Sequence, residues 1–511
     1  MRTSRIPRRS RADRKRKVLT LFSLSQIRQT ARTGDTLRAW RMFEAAGWLN
    51  SDEADALSLR GRLLKDRALR SAGEDRTRYF DEAEAAYMRA AGDRRATYPL
   101  INAATIAFLN GKPERAQMLA QQTLAVLESG DYEPETAYWL GATRAEALLL
   151  LGDIPGGVTA LEAAVARAPQ AWEDHAATIR QLQLILQQAN AANDLFDHLR
   201  PPVCLHFSGI IHLPVQEDGI RDVVEAMLDQ IRPGFAFGAL AAGSDILIGE
   251  MVLARGARLH VVLPGPVDLF RESSVIPFGD QWARRFDTLI EAADAVETLG
   301  GVTRLSDAAV TLAEEMAMGL AIRHAHSLAS KAVALRLRRS TDQVKASEAV
   351  WRRRGLPVYD LAIDRESPAS MLATLDTGRR RAILASTEAF PADLERTAGN
   401  RPRFVQDVWL MDFDDLGHAI EIATTFLRSA PENSLGLVYH VVDRKDDDEQ
   451  ELAEIASLLA CRAPQGTICA AAPGAFALDL CAPGHHFEAA GELVTQFGDI
   501  PIRLFSLSGA A

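Results

Sequence analysis

The chain has 511 residues, a formal net charge of -10 and 47% hydrophobic content. That length fits about three domains of ordinary size with ample apolar material for their cores, and the net charge argues against general nucleic-acid binding by the whole chain. No apolar run approaches the roughly 20 residues that span a bilayer, and the N-terminus lacks a secretory apolar stretch, so a cytoplasmic location is expected.

Residues 1–18 read as a basic disordered tail: Arg2 to Lys17 holds nine basic residues against one acid, Asp13. Such an arm could touch nucleic acid or an anionic surface, but it lacks a stacking aromatic and reads better as solvated. From Leu19 to Leu199 the reading is helical, rich in alanine and leucine, with short Gly/Asp turns. Segments Tyr79 to Ala91, Tyr98 to Leu109, Glu114 to Leu127, Pro134 to Leu151 and Gly156 to Arg167 are expected helices. Ala83, Ala86, Ala90, Ala103, Ala104 and Ala116 would let them cross closely. This region resembles tetratricopeptide repeats. YPLINAATIAFLNGKPERAQMLA is also similar to the helical region of bacterial proteins related to the TRAF-binding region of stress-activated MAP kinase kinase kinases. The resemblance implies scaffolding, a protein partner and no catalytic residue. Tyr98 and Asn102 read as fixing a helix pair, and Trp139 and Trp172 as core or groove residues.

Residues 203–366 read as a three-layer α/β domain with right-handed crossovers. Cys204 to Phe207 is its first strand, Ser208-Gly209 the turn and Gly219 to Ile231 the crossover helix. Phe235 to Gly238 and Leu259 to Leu263 are further strands around a helix from Gly243 to Ala254. A helix beginning near Gly279, a long helix Thr311 to Ser327, a strand Ala332 to Leu337, a helix Thr341 to Arg354 and a strand Leu356 to Ile363 follow. Gly238, Gly243 and Ser244 fall at the strand-to-helix turn, where N–H groups of Ser244, Asp245 and Ile246 could receive an anion. Tight βα packing needs glycines equally, and Asp245 also fits a plain helix N-terminal acid.

The phrases FSG at Phe207 to Gly209, GALAAGSDILIGEMVLARGARLHVVLP, FRESSV at Phe270 to Val275 and WRRRGLPV at Trp351 to Val358 resemble the nucleotide-sensing Rossmannoid domains of the SMF/DprA-LOG (SLOG) superfamily. The resemblance implies a nucleotide or nucleotide-derived ligand, with no certain cofactor, held by Ser208, Gly209, Gly238, Gly243, Ser244, Asp245, Arg271, Ser274, Gly300, Gly301 and Thr303. The family's phosphoribohydrolases carry PGGxGTxxE; Leu299 to Ser306, LGGVTRLS, keeps two glycines and Thr303 without the glutamate. Glu250 is the remaining candidate acid for a nucleotide N-glycosidase. Arg271 either holds a phosphate with Ser274 or joins a surface network with Glu272 or Asp268.

Residues 379–511 read as α+β, with strands Arg381 to Ala385, Val408 to Phe413, Leu435 to Val442, Gly466 to Ala470 and Pro501 to Leu507, and helices Leu416 to Leu427 and Glu449 to Leu459. FVQDVWLMDFDDLGHAIEIA and GLVYHVVDR resemble a class III nucleotide cyclase homology domain, which implies a ferredoxin-like fold and pairing as a homodimer. Active members hold two metal ions on two aspartates. Asp407 falls at the second position, the first falls at Ser386 or Thr387, and the substrate-positioning asparagine and arginine fall near Glu454 and Leu458. The resemblance therefore implies a catalytically dead pseudoenzyme domain with Asp407 as a vestigial ligand position. Cys204, Cys461, Cys469 and Cys481 have no CxxC pairing, which argues against a disulfide scaffold or zinc site. The last three, near His485 and His486, read as buried small side chains ahead of a metal site. The expected whole is a non-catalytic signalling or sensor protein, with glycosidase and pure scaffold as alternatives.

Overall fold

A computed structural model describes residues 22–32, 36–192, 194–211, 213, 218–339, 342–363, 378–442, 447–485, 487–496 and 498–506. The basic arm Arg2 to Lys17, Leu19, His486 and Leu507 lie outside the described residues. Two compact units emerge: residues 1–168 with 182–195, and residues 169–181 with 196–511.

Among the described residues the regular structure of the first unit is all helix: α1 (Leu24–Arg32), α2 (Thr36–Ala45), α3 (Ala54–Arg70), α4 (Gly73–Ala91), α5 (Thr97–Leu109), α6 (Pro113–Ser129), α7 (Ala137–Leu150), α8 (Ile154–Arg167) and the later half of α9 (Trp172–Gln188). Local sequence sets the ends. Thr136 Oγ1 accepts from Trp139 N at 3.2 Å, Asp153 Oδ1 accepts from Gly156 N at 3.0 Å, and Pro113 opens α6 where no N–H is needed. All six alanines expected at the crossings are buried. Glycines bring helices closer still: a Cβ on Gly61 would lie 2.6 Å from the Tyr87 ring, and one on Gly141 would lie 2.7 Å from Ala164 Cβ. Asn102 differs from expectation, since its amide bonds Tyr98 O within α5 at 2.9 Å. A buried cross-helix polar link is Thr105 of α5 donating to Glu146 of α7.

In the second unit a six-stranded parallel sheet holds β1 (Val203–Ser208), β2 (Pro233–Gly238), β3 (Arg258–Leu263), β4 (Ala295–Thr298), β5 (Ala332–Arg338) and β6 (Val358–Ala362) in the order β4-β3-β2-β1-β5-β6. Helices α10 (Asp218–Ile231), α11 (Ser244–Ala254), α12 (Val267–Ser274) and α13 (Asp280–Ala292) pack on one face. The chain then reverses through α14 (Asp307–Ser327) to β5, and α14 and α15 (Ala346–Arg353) cover the other face. The topological switch therefore lies between β1 and β5, where Ser208 and Arg336 are register partners. The sequence reading passed over β4, a four-residue edge strand without an apolar run. Trp172, expected among the repeats, stacks edge-on against Phe235 of β2 at 5.2 Å.

A second, seven-stranded sheet follows. It is built from β7 (Arg379–Ser386), α16 (Ala392–Ala398), β8 (Arg403–Val405), β9 (Val408–Phe413), α17 (Leu416–Ser429), β10 (Leu435–Val442), α18 (Asp447–Arg462), β11 (Thr467–Ala471), α19 (Ala472–Cys481), β12 (Glu488–Thr495) and β13 (Gly498–Ser506). The first six of these run strand-helix-strand-strand-helix-strand once the hairpin is counted, and β10-β7-β9-β8 pair antiparallel throughout, the order of a ferredoxin-like fold. Parallel β11, then β13 and β12, extend it beyond β10. Cys469 is buried and Cys481 half-buried, but Cys461, expected inside, is exposed on α18.

One apolar core runs from the α14 side of the parallel sheet through α14, α17 and α19 to the near face of the second sheet, and α18 covers the far face. The order within this unit is therefore helix, sheet, helix, sheet, helix. Its closest backbone approach is at Gly319 on α14, where a Cβ would lie 1.8 Å from Phe476 O of α19. Gly319→Ala should lower the stability of this unit by about 3 kcal/mol because a backbone carbonyl cannot move aside cheaply; a urea titration of the full chain that leaves the unfolding midpoint in place would refute the contact.

Gln406 and Asp407 have φ of 49° and 64°, and they join β8 to β9 where Val405 pairs with Val408. This is a two-residue hairpin loop that favours Asn-Gly. Asp407→Gly should raise stability by about 0.5 kcal/mol by removing positive-φ strain, read as a higher unfolding midpoint.

Candidate functional site

The carboxyl ends of β1, β2 and β5, beside the switch point, carry the candidate site, and the residues there follow from strand alternation. On β1, Leu205 and Phe207 face α10 and α11, so Cys204, His206 and Ser208 face α14. On β5 the same alternation sends Val333, Leu335 and Leu337 one way and Ala334 and Arg336 the other. Arg336 is thus a guanidinium in an otherwise apolar layer, and it needs a partner.

Its partner is Glu314 of α14, with Arg336 Nη1 at 2.5 Å from Glu314 Oε1. Arg336 also donates to Ser208 Oγ. The other Glu314 oxygen accepts from Lys345 Nζ at 3.2 Å and from Ser347 Oγ at 3.1 Å. Burial alone would raise the Glu314 carboxyl, but Arg336 and Lys345 outweigh it and hold the group down to about 2. His206, tilted against Trp351 with ring centroids 6.2 Å apart, is pushed well below its ordinary value by burial and then by the Arg336 charge, so it is neutral at pH 7. Its Nδ1 and Arg336 Nε are buried without hydrogen-bond partners.

The α11 end of the site is built by Gly209, Gly243, Ser244 and Asp245. A Cβ on Gly209 would lie 1.9 Å from Ser244 Oγ, and one on Gly238 would lie 2.6 Å from Phe207 O, so both positions require glycine. Gly243, with φ 127° and ψ -130°, caps α11 in a conformation closed to other residues. Ser244 N and Oγ both donate to Ile210 O, at 3.3 and 3.0 Å. Asp245 Oδ2 accepts from Ala241 N at 3.3 Å. Asp245 Oδ1 is buried and unpartnered. Burial raises this carboxyl to about 7 against the Ala241 bond and the Lys345 charge.

The sequence-expected residues therefore divide. Ser208, Gly209, Gly238, Gly243, Ser244 and Asp245 gather at the ends of β1 and β2. Of the N–H groups expected to receive an anion, that of Ser244 is spent on Ile210 O. Arg271 forms a two-bond pair with Asp287 of α13, at 2.7 and 2.8 Å, so a surface network holds it, with a different acid from those expected. Ser274 meets the β2 loop through its backbone, its carbonyl accepting from Ala242 N at 3.0 Å. Gly300, Gly301 and Thr303 are exposed after the edge strand β4, three strands from β1 and so roughly 14 Å away at ordinary strand spacing. Glu250 is clamped by Arg285 through two 2.7 Å bonds between α11 and α13. Asp407 is exposed at the hairpin tip, whereas Ser386 is buried with its Oγ accepting from Glu388 N.

Sequence reading missed Arg336, Glu314, Lys345, Ser347 and His206. The available signal was an arginine on the inner phase of ALRLR and an acid pair inside the apolar helix around Ala313 to Met318. Among the described residues no three His, Cys, Asp or Glu side chains gather as a metal-holding group, and no helix is long and apolar enough to cross a membrane.

The comparisons agree with the helical part. The family Tetratricopeptide Repeats-Sensor (TPR-S) matches residues 8–107. A helical repeat region of tetratricopeptide type followed by α/β domains is present. No curated protein matches the chain. Among solved structures, a mutant of the Thermobaculum terrenum O-GlcNAc transferase is 16% identical over 67% of this chain and 74% of its own, with a TM-score of 0.17. So low a TM-score carries no argument about fold or activity.

Asp245 gives a pH signature. Its folded value lies above the unfolded 3.8, so its contribution is fully present below 3.8 and is lost as pH rises through about 7. Asp245→Asn, which does not titrate, should gain on the natural chain by up to about 4 kcal/mol across that interval. Urea midpoints that keep a constant separation from acid to neutral pH would contradict the assignment.

Proposed function

We propose that the protein is a non-catalytic signalling or sensor protein, in which the parallel-sheet domain binds a nucleotide or nucleotide-derived ligand and the helical repeats bind a protein partner. The observation that carries the first half is the buried polar cluster at the β1–β5 switch point. Open parallel sheets bind ligands at such a point. The cluster also leaves polar atoms on three elements unpaired, and a buried unpaired polar atom costs about 1–3 kcal/mol unless something bonds it. The resemblance to SLOG domains points to the same strand ends. The TPR-S match supports the partner-binding half, since stacked helix pairs present extended surfaces.

The second sheet fits the same reading as a cyclase-like domain kept for pairing or regulation. Its ferredoxin-like strand order agrees with that resemblance, and Asp407 sits in the β8–β9 hairpin without a carboxylate at Ser386 or Thr387 to share a metal. Ligand binding would act by shifting populations of domain arrangements, with no bond chemistry required. The glycosidase alternative gains no support from Glu250, whose carboxylate is committed to Arg285.

A thermal-shift and calorimetric panel of nucleoside mono-, di- and triphosphates, cyclic nucleotides and NAD-derived compounds tests the reading on the full chain. At least one should raise the unfolding temperature, by an amount that grows with its concentration. A panel without a single binder would sink the sensor reading.

A further inference from the structure

Resting on the nucleotide reading of the parallel-sheet domain, we propose that Asp245 accepts hydrogen bonds from the ribose diol of the ligand, and that the ligand's phosphate lies against Lys345 at the start of α15, away from the start of α11. The usual expectation for a glycine turn opening a helix is the reverse, with phosphate on the helix N-terminus. Here that place is already taken. The Asp245 carboxylate lies beside it, turned back to accept from the Ala241 N–H, and Ser244 turns both its N–H and its hydroxyl to Ile210 O. A phosphate placed there would meet a carboxylate and find the Ser244 donors spent.

What Asp245 does offer is an acceptor. Its side chain belongs to a residue 7% exposed, and Oδ1 has no partner. When the group is ionised, above its raised value of about 7, that oxygen can be satisfied only by donors. Vicinal hydroxyls supply them, and a neutral donor relieves desolvation without adding a like charge. The cation lies elsewhere. Arg336 is 4% exposed and bound to Glu314, whereas the Lys345 side chain is 58% exposed while touching the same carboxylate at 3.2 Å. Two cations share that one acid, which leaves a net positive charge presented at the rim by Lys345. Acceptor and cation meet at one pair of strand ends: Arg336, on the same Glu314 as Lys345, donates to Ser208 Oγ, and the next residue, Gly209, lies against Ser244 beside Asp245. A ribose phosphate carries the complementary pair of groups.

Calorimetry on the full chain with AMP, 2′,3′-dideoxy-AMP and adenosine tests this. Removing the diol should weaken binding to the natural protein by about tenfold or more, the usual cost of leaving a buried polar group unpaired. Asp245→Asn should weaken AMP by a similar factor and leave the dideoxy compound unchanged. Lys345→Gln should weaken both phosphates and spare adenosine. Equal affinity for AMP and its dideoxy analogue, or loss of adenosine affinity in Lys345→Gln, overturns the proposal while the nucleotide reading stands. Absence of binding by all three, with binders found elsewhere in the wider panel, also overturns it, whereas absence throughout that panel removes the nucleotide reading itself. Should Asp245→Asn fail to fold, the diol comparison on the natural chain and the Lys345→Gln variant still decide.

Discussion

The second unit depends on α14 being enclosed along its middle, where no residue from Leu312 to Ala325 is exposed. A helix between two sheets has no solvent face, and α14 reads accordingly: Leu312, Ala313, Met316, Ala317, Met318 and Ala321 are all in one core. Such a helix can carry charge only where a partner waits, and it carries two adjacent acids. About 100° of rotation separates neighbouring residues on a helix, which sends Glu314 toward Arg336 and Lys345 beneath the parallel sheet's switch point and Glu315 toward Arg380 and Tyr439 on the second sheet. Burial raises the Glu315 carboxyl despite Arg380, whereas Glu314, with two cations, is held low. The same helix therefore ties both sheets by paired charges, and its small face at Gly319 admits the α19 backbone between them.

Polar bonds continue along that seam. Arg323 of α14 reaches Asp479 at 3.1 Å, and Arg354 donates to the carbonyls of Asp479 and Leu480 at the end of α19. Each of these satisfies a helix-end or buried acceptor that would otherwise be stranded in an apolar layer. The consequence for function is that the floor of the candidate site and the second sheet share one rigid element. Under the proposed reading, a ligand that changed the charge balance at Glu314 would act one residue away from the contact of Glu315 with Arg380 and Tyr439.

Elements with strong local patterns were legible in the sequence. The parallel strands around Phe235 and Leu259, the helix opening at Gly243 and the alanine crossings of the repeats all depend on short-range periodicity and turn chemistry. The short edge strands β4 and β8 were not, because their residues are half or fully exposed and have no apolar phase to read. Helix α19, APGAFALDLC from Ala472, is apolar on nearly every side except Asp479 because it too is enclosed, and it resembles strand and loop as much as helix. The site was half legible. Its glycines announce themselves, since only their backbone fits, whereas Arg336 and Glu314 are 22 residues apart in sequence and meet only through the β5 crossover.

That division also explains why Arg271 drew attention and Arg336 did not. An arginine after a strand end looks available for phosphate, but Asp287 on the next helix claims the Nε–Nη2 edge of its fork with both carboxylate oxygens. An arginine inside a strand looks like a surface residue until the fold buries it. Once buried, Arg336 must keep Glu314, since releasing it would leave two opposite charges uncompensated in a low-dielectric layer. The buried pair is thus a fixed foundation, and under the proposed reading exchange with a ligand would fall to the groups that are incompletely committed: the exposed Lys345 ammonium and the unpaired oxygen of Asp245.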